Sequence, residues 1–118
     1  MMADGPRELR IYSTADGKKP FQEWIESLTD GEAKARILVR LERVRLGNLG
    51  DCKSVGEGVY ELRIKIGPGY RVYFGRDGRV FVILLCGGSK ATQRKDIANG
   101  KAYWQDYRSR KDAKKRTI

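Results

Sequence analysis

The sequence predicts an α+β fold: an N-terminal strand, a helical hairpin packed on a twisted antiparallel sheet, and a C-terminal helix. Three observations predict it. Between Val59 and Cys86, three strand-like runs follow one another, broken only by Gly67-Pro68-Gly69 and by Asp77-Gly78. Ahead of them, Phe21, Trp24, Ile25 and Leu28 take the i, i+3, i+4, i+7 spacing of one helical face. Behind them, Gly87-Gly88 opens into a second helical pattern that carries Ile97, Ala102, Tyr103, Trp104 and Tyr107. At 118 residues the chain is expected to form one domain, spanning 1–118, with one modest core.

Taken in order, Glu8 to Tyr12 alternates as a short strand before the Asp16-Gly17 turn. Pro20 suits the first turn of a helix, whose Trp24 is expected to anchor on the sheet. Thr29 and Glu32 make a capping-box pattern for the second helix, where Ala33, Ile37, Leu41 and Val44 form the apolar stripe and Gly47 the stop. Its outer face holds Lys34, Arg36, Arg40, Arg43 and Arg45; as a group these are candidates for a nucleic-acid backbone. A short edge strand is expected around Cys52 to Val55. Tyr60, Leu62, Ile64 and Ile66 then share one face of a strand, with Glu61, Arg63 and Lys65 on the other. Tyr70, Val72 and Phe74 continue the apolar face, and Val80 to Cys86 is apolar throughout, as in a strand covered on both sides. Thr92 is the expected cap of the last helix, and Gly100 weakens that helix by about 1 kcal/mol relative to alanine. The charge run in 108–118 (Arg108, Arg110, Lys111, Lys114, Lys115 and Arg116 against Asp112) reads as a mobile tail.

A net charge of +10 and a pI near 9.9 point to an anionic partner. A membrane is the weakest candidate, since no apolar run exceeds a strand in length, and MMADGPRELR lacks the apolar core of a signal peptide. Cytoplasmic residence is the default expectation. Without histidine, Ser-His-Asp and Cys-His nucleophile arrangements are excluded, and zinc ligation by the separated Cys52 and Cys86 is not expected. Cys86, at the end of the apolar strand, reads as a small buried hydrophobe. Chemistry therefore falls to Lys, Arg, Tyr, Asp and Glu, with no cofactor or metal.

With Gly67 to Gly69 as the loop, Ile66 pairs with Tyr70, Lys65 lies across from Arg71, and Arg63 across from Tyr73. Like charges placed opposite one another destabilise a sheet, so an anion held between them is the functional reading and a solvated face the bland one. Lys90, Arg94 and Lys95 leave the third strand toward the same end.

Several blocks then resemble a known family. They are Pro20-Phe21 with Trp24 and Leu28, Ala35-Arg36-Ile37, Gly47-Asn48-Leu49-Gly50-Asp51 and Val59-Tyr60-Glu61-Leu62-Arg63-Ile64. Gly67-Pro68-Gly69-Tyr70-Arg71-Val72-Tyr73 and Gly87-Gly88-Ser89-Lys90-Ala91-Thr92-Gln93 with Asp96-Ile97 complete the set. In order and spacing they resemble the RelE/ParE toxin superfamily, closest to its phage-derived, HigB-like addiction-module killer branch. The resemblance implies a RelE-like fold and a type II toxin neutralised by a cognate antitoxin with a helix-turn-helix domain. It also implies a metal-independent endoribonuclease that cuts mRNA on the ribosome, with 16S rRNA contacts, leaving 2′,3′-cyclic phosphate and 5′-hydroxyl ends. ParE-like members instead poison DNA gyrase. The histidine that serves some HigB proteins has no counterpart here.

Attack by a ribose 2′-OH needs a base, a stabilised phosphorane and a protonated leaving oxygen. By analogy with the family, Arg63 and Arg71 are expected at the phosphate. Lys65, expected beside Arg71, and Lys90 are the candidates for general base and backbone contact. Tyr73 is expected to stack on a base, orient the 2′-OH or pack. Glu61 is a charge buffer or second base candidate, and Arg94 and Lys95 are expected at the RNA or ribosomal backbone. The alternatives are a gyrase poison with no catalytic demand on the sheet, and a basic nucleic-acid-binding module without toxicity.

Overall fold

The computed structural model describes residues 5–116, with side chains described for 5–114. Met1 to Asp4, Thr117, Ile118 and the side chains of Lys115 and Arg116 lie outside the described residues. The order of elements is β1 (Glu8–Ile11), α1 (Pro20–Ser27), α2 (Gly31–Arg45), β2 (Cys52–Gly56), β3 (Val59–Ile64), β4 (Tyr70–Asp77) and β5 (Phe81–Ser89). A short 3₁₀ turn (Lys90–Thr92) then leads into α3 (Gln93–Arg116). The sheet runs β1-β5-β4-β3-β2. Strands β2 to β5 are antiparallel, and β1 closes the edge parallel to β5. The α+β architecture expected from the sequence is the one observed.

Both faces of the sheet are covered. Helices α1 and α2 lay Phe21, Ile25, Ile37, Leu41 and Val44 over Leu62, Ile64, Val72, Phe74, Val82 and Leu84. On the other face α3 packs Trp104 with Val59, Tyr73, Ile83, Leu85, Cys86 and Tyr12. The registers place Tyr73 opposite Cys86 but Phe74 opposite Leu84, leaving Leu85 as a bulge. The bulge turns Leu85 and Cys86 both toward α3 and adds local twist. Cys86 is a buried packing residue, as expected, and burial pushes its thiol up to about 12.

Two expectations are corrected. The cap of α2 is Asp30 rather than Thr29: its carboxylate accepts from the backbone N–H of Glu32 and Ala33, both at 3.1 Å. Gly100 lies within α3, buried against Tyr73 and Cys86, where a Cβ would meet both at ordinary contact distances of 3.5 and 3.7 Å. Residues 108–116, expected as a mobile tail, continue α3. Ties to the sheet explain it: Tyr12 donates to Asp106 at 2.6 Å, Tyr107 donates to Asp77 at 2.6 Å, and Lys111 also pairs with Asp77. Among the described residues no helix is long and apolar enough to cross a membrane.

Each tryptophan lies flat on a strand glycine, one per face: Trp24 on Gly87 and Trp104 on Gly75. A Cβ at either glycine would fall inside the indole ring. Neither glycine has a positive φ, so the constraint is contact and not backbone conformation. Gly75→Ala and Gly87→Ala are each expected to cost about 1–3 kcal/mol by displacing the ring. Urea unfolding should show a lower midpoint at unchanged slope; an unchanged midpoint would mean the indoles give way freely.

Candidate functional site

The site is built on the end of the β3–β4 hairpin, where alternation turns Glu61 and Tyr73 toward α3. They are register partners, and both are fully buried. A carboxylate at that depth requires partners, because an unpaired buried charge is prohibitively costly. Glu61 has four. It accepts from the Tyr73 hydroxyl at 3.0 Å, the Gln93 side-chain amide at 2.8 Å and Arg63 Nε at 3.2 Å. Arg71 Nε lies 3.5 Å from the same carboxylate, an ion-pair distance rather than a well-aligned hydrogen bond. Two guanidiniums therefore share the Glu61 carboxylate.

The strand register differs from the expected one. Strand β3 ends at Ile64, and residues 65–69 form the connection, with Gly67 and Gly69 at positive φ and Gly69 N–H donating to the Ile66 carbonyl at 2.9 Å. Arg63 thus faces Arg71, and Glu61 faces Tyr73. The repulsion expected of a like-charged pair is offset from below by Glu61.

This register decides where each expected site residue stands. Arg63 and Arg71 come together. Lys65 does not join them: it lies beyond the ladder in the connection, its side chain 84% exposed, 3.8 Å from Asp51. The crowding against Arg71 that was to make it a base is absent. Tyr73 cannot stack on an RNA base, because its ring is enclosed beneath α3. Burial first, then the Glu61 charge and hydrogen bond, raise its phenol well above the ordinary range, so it remains a proton donor to Glu61. Lys90 is exposed and is brought to the hairpin end through its backbone: its main-chain N–H donates to the Gly69 carbonyl at 2.9 Å, and a Cβ placed on Gly69 would lie 3.7 Å from an Arg71 terminal nitrogen and 3.8 Å from the Lys90 Cβ. Arg94 and Lys95 are exposed in the first turn of α3, directly after Gln93. Arg40 and Arg43 stand on α2, across a cleft from Arg63.

Gln93 is the contributor that the sequence reading did not single out. Its advance signal was its place at the end of the Gly87–Gln93 block, where a strand ending at Ser89 passes into a helix. Gly88 has a related role: Asp96 packs against its bare Cα, and the Thr92 hydroxyl donates to Asp96 at 2.5 Å, fixing the first turn of α3 over the cluster.

Chemically, the arrangement offers two arginine forks held from beneath, with an exposed lysine following in the chain. Such forks suit a phosphate-like anion, and no side chain of the cluster is a nucleophile of the serine or cysteine kind.

A family-model match shows the family. Residues 23–106 match the family model described as "Phage derived protein Gp49-like (DUF891)". An uncharacterized protein of Haemophilus influenzae Rd is 50% identical over 86 residues, covering 73% of this chain and 87% of that protein.

Proposed function

Because the chain belongs to the phage-derived Gp49-like family, a RelE/HigB-like addiction-module toxin family associated with toxin-antitoxin modules, we propose that it is the toxin of such a pair and acts by cutting mRNA on the ribosome. The observation carrying this reading is the sharing of Glu61 by Arg63 and Arg71 next to Lys90, an anion receptor on the rim of the sheet. In the proposed reaction the ribose 2′-oxygen attacks the adjacent phosphorus, the 5′-oxygen leaves, and a 2′,3′-cyclic phosphate and a 5′-hydroxyl result. Arg71 and Arg63 bind the non-bridging oxygens and offset the charge that grows on them. Lys90 supplies the amine able to exchange a proton with the reacting oxygens, or to hold the phosphate as a point charge. Glu61 is a positioning residue that aims both forks. Lys65, Arg94 and Lys95 are assigned to the substrate backbone or ribosome, and a cognate antitoxin is the protein partner.

The test is induction of the chain alone and with its neighbouring gene, with mRNA 5′ ends mapped by primer extension. The expected result is growth arrest with cuts phased to codons, relieved by co-expression. Intact mRNA with a DNA-damage response would transfer the chain to the gyrase-poison reading. Intact mRNA, ongoing translation and normal growth would leave only a nucleic-acid-binding module.

A further inference from the structure

One surface beyond the anion receptor is built for a charged ligand: a cleft of about 550 Å³ between α2 and the β3–β4 connection. Five of its ten lining residues are cations: Arg36, Arg40, Arg43, Arg63 and Lys65. The first three follow an i, i+4, i+7 spacing, so they form one stripe about 10 Å long on α2. The carboxylates at the rim are few. Glu32 reaches Arg36 at 3.5 Å and Asp51 reaches Lys65 at 3.8 Å, both between exposed side chains and weak for that reason.

Arg40 is not a loose surface charge. It is half-buried, its guanidinium packs over the bare Cα of Gly50, and it donates to the Asp51 carbonyl at 3.2 Å, with the Asp51 charge nearby. Between the arginines the floor is apolar: Val39 is 54% exposed, and Ile66 lies half-buried opposite it. Cations along a rim and hydrocarbon along a floor suit a ligand with a charged backbone and flat apolar faces. Arg63 lines the cleft and is the same residue that reaches Glu61, so cleft and anion receptor share this residue at the end of the hairpin.

We propose that this cleft carries single-stranded RNA into the anion receptor. Phosphates next to the scissile one lie along Arg36, Arg40 and Arg43, and an unpaired base rests on Val39 and Ile66. The assignment rests on the ribonuclease reading for its direction, since the receptor defines where the strand leads. A single strand is specified because the apolar floor is useful only to a base free of its partner. Arg63 is the residue common to binding and chemistry.

The experiment uses the full chain and a fluorescein-labelled 2′-O-methyl RNA dodecamer, which lacks the attacking hydroxyl and cannot be cut. Fluorescence anisotropy is measured at several salt concentrations. For Arg36→Gln/Arg43→Gln, two exposed positions, affinity at low salt is expected to fall at least about tenfold. The slope of log K against log salt should fall by about 1.4, at roughly 0.7 for each phosphate no longer neutralised. Val39→Asp should weaken binding further while leaving the melting temperature near that of the parent. Parent-like binding by the double variant overturns the proposal, as does no binding by the parent, or equal affinity for a blunt duplex of the same length. Unchanged RNA binding with lost capture of the co-expressed neighbouring gene product assigns the cleft to a protein partner and also overturns it. Cleavage is scored separately by mapping mRNA ends. A cleft that binds RNA in a chain that never cuts therefore refutes the nuclease reading alone.

Discussion

Glu61→Ala is expected to destabilise the protein by about 3–5 kcal/mol, the range found when one partner of a buried ion pair is removed. The substitution strands four groups at once: the Arg63 and Arg71 guanidiniums, the Tyr73 hydroxyl and the Gln93 amide, all of which converge on this carboxylate. Against a total stability of roughly 5–15 kcal/mol, that is a large share. Glu61→Gln keeps the shape and an acceptor oxygen for Tyr73 but loses the charge. Its cost is expected near 1–2 kcal/mol, from weaker hydrogen bonds and uncompensated repulsion between the arginines. Urea denaturation of both variants checks the pair of values, and an alanine variant within about 1 kcal/mol of the parent would remove Glu61 from its place at the centre of the hairpin.

The second large effect concerns turnover. Under the nuclease reading, Arg71→Ala is expected to lower mRNA cutting by about 10²–10³-fold, the usual loss when one donor to a developing oxyanion is deleted. Its side chain is nearly enclosed, with a terminal nitrogen near Gly69 and Nε at Glu61, so it is already aimed before substrate arrives. Arg71→Lys is expected to restore little, because a lysine cannot offer two parallel N–H groups to a phosphate. The measurement is the fraction of message cut per codon after a timed induction at matched protein levels, accompanied by a thermal melt to separate chemistry from folding. Cutting within about threefold of the parent would exclude Arg71 from the reaction.

Much of the hairpin could be read from residues alone, because alternation fixes which side chains share a face. Its register could not. A slip of two residues leaves every side chain on its own face, so the hydrophobic pattern is indifferent between a three-residue and a five-residue connection. Gly67-Pro68-Gly69 suggests the shorter. The observed connection takes in Lys65 and Ile66, and that choice alone moved Lys65 away from Arg71 and brought Arg63 opposite it. The second covered face was half legible. The unbroken apolar run of β5 announced a layer on each side, but α3 carries too many charges to advertise its packing stripe, so Glu61 and Tyr73 were expected at a more open surface. The cap of α2 shows a smaller ambiguity of the same kind: Thr29 and Asp30 are both capable, and only the backbone path selects between them.

The parallel pairing of β1 with β5 has a consequence for the order of events in biosynthesis. Among the described residues, strand β1 pairs with a strand encoded some seventy residues later, and its neighbour Tyr12 is then locked beneath the closing helix. Partners so distant along the chain are slow to meet, whereas the β3–β4–β5 meander can assemble locally. A nascent copy thus holds its cation-bearing hairpin before its outer edge is shut.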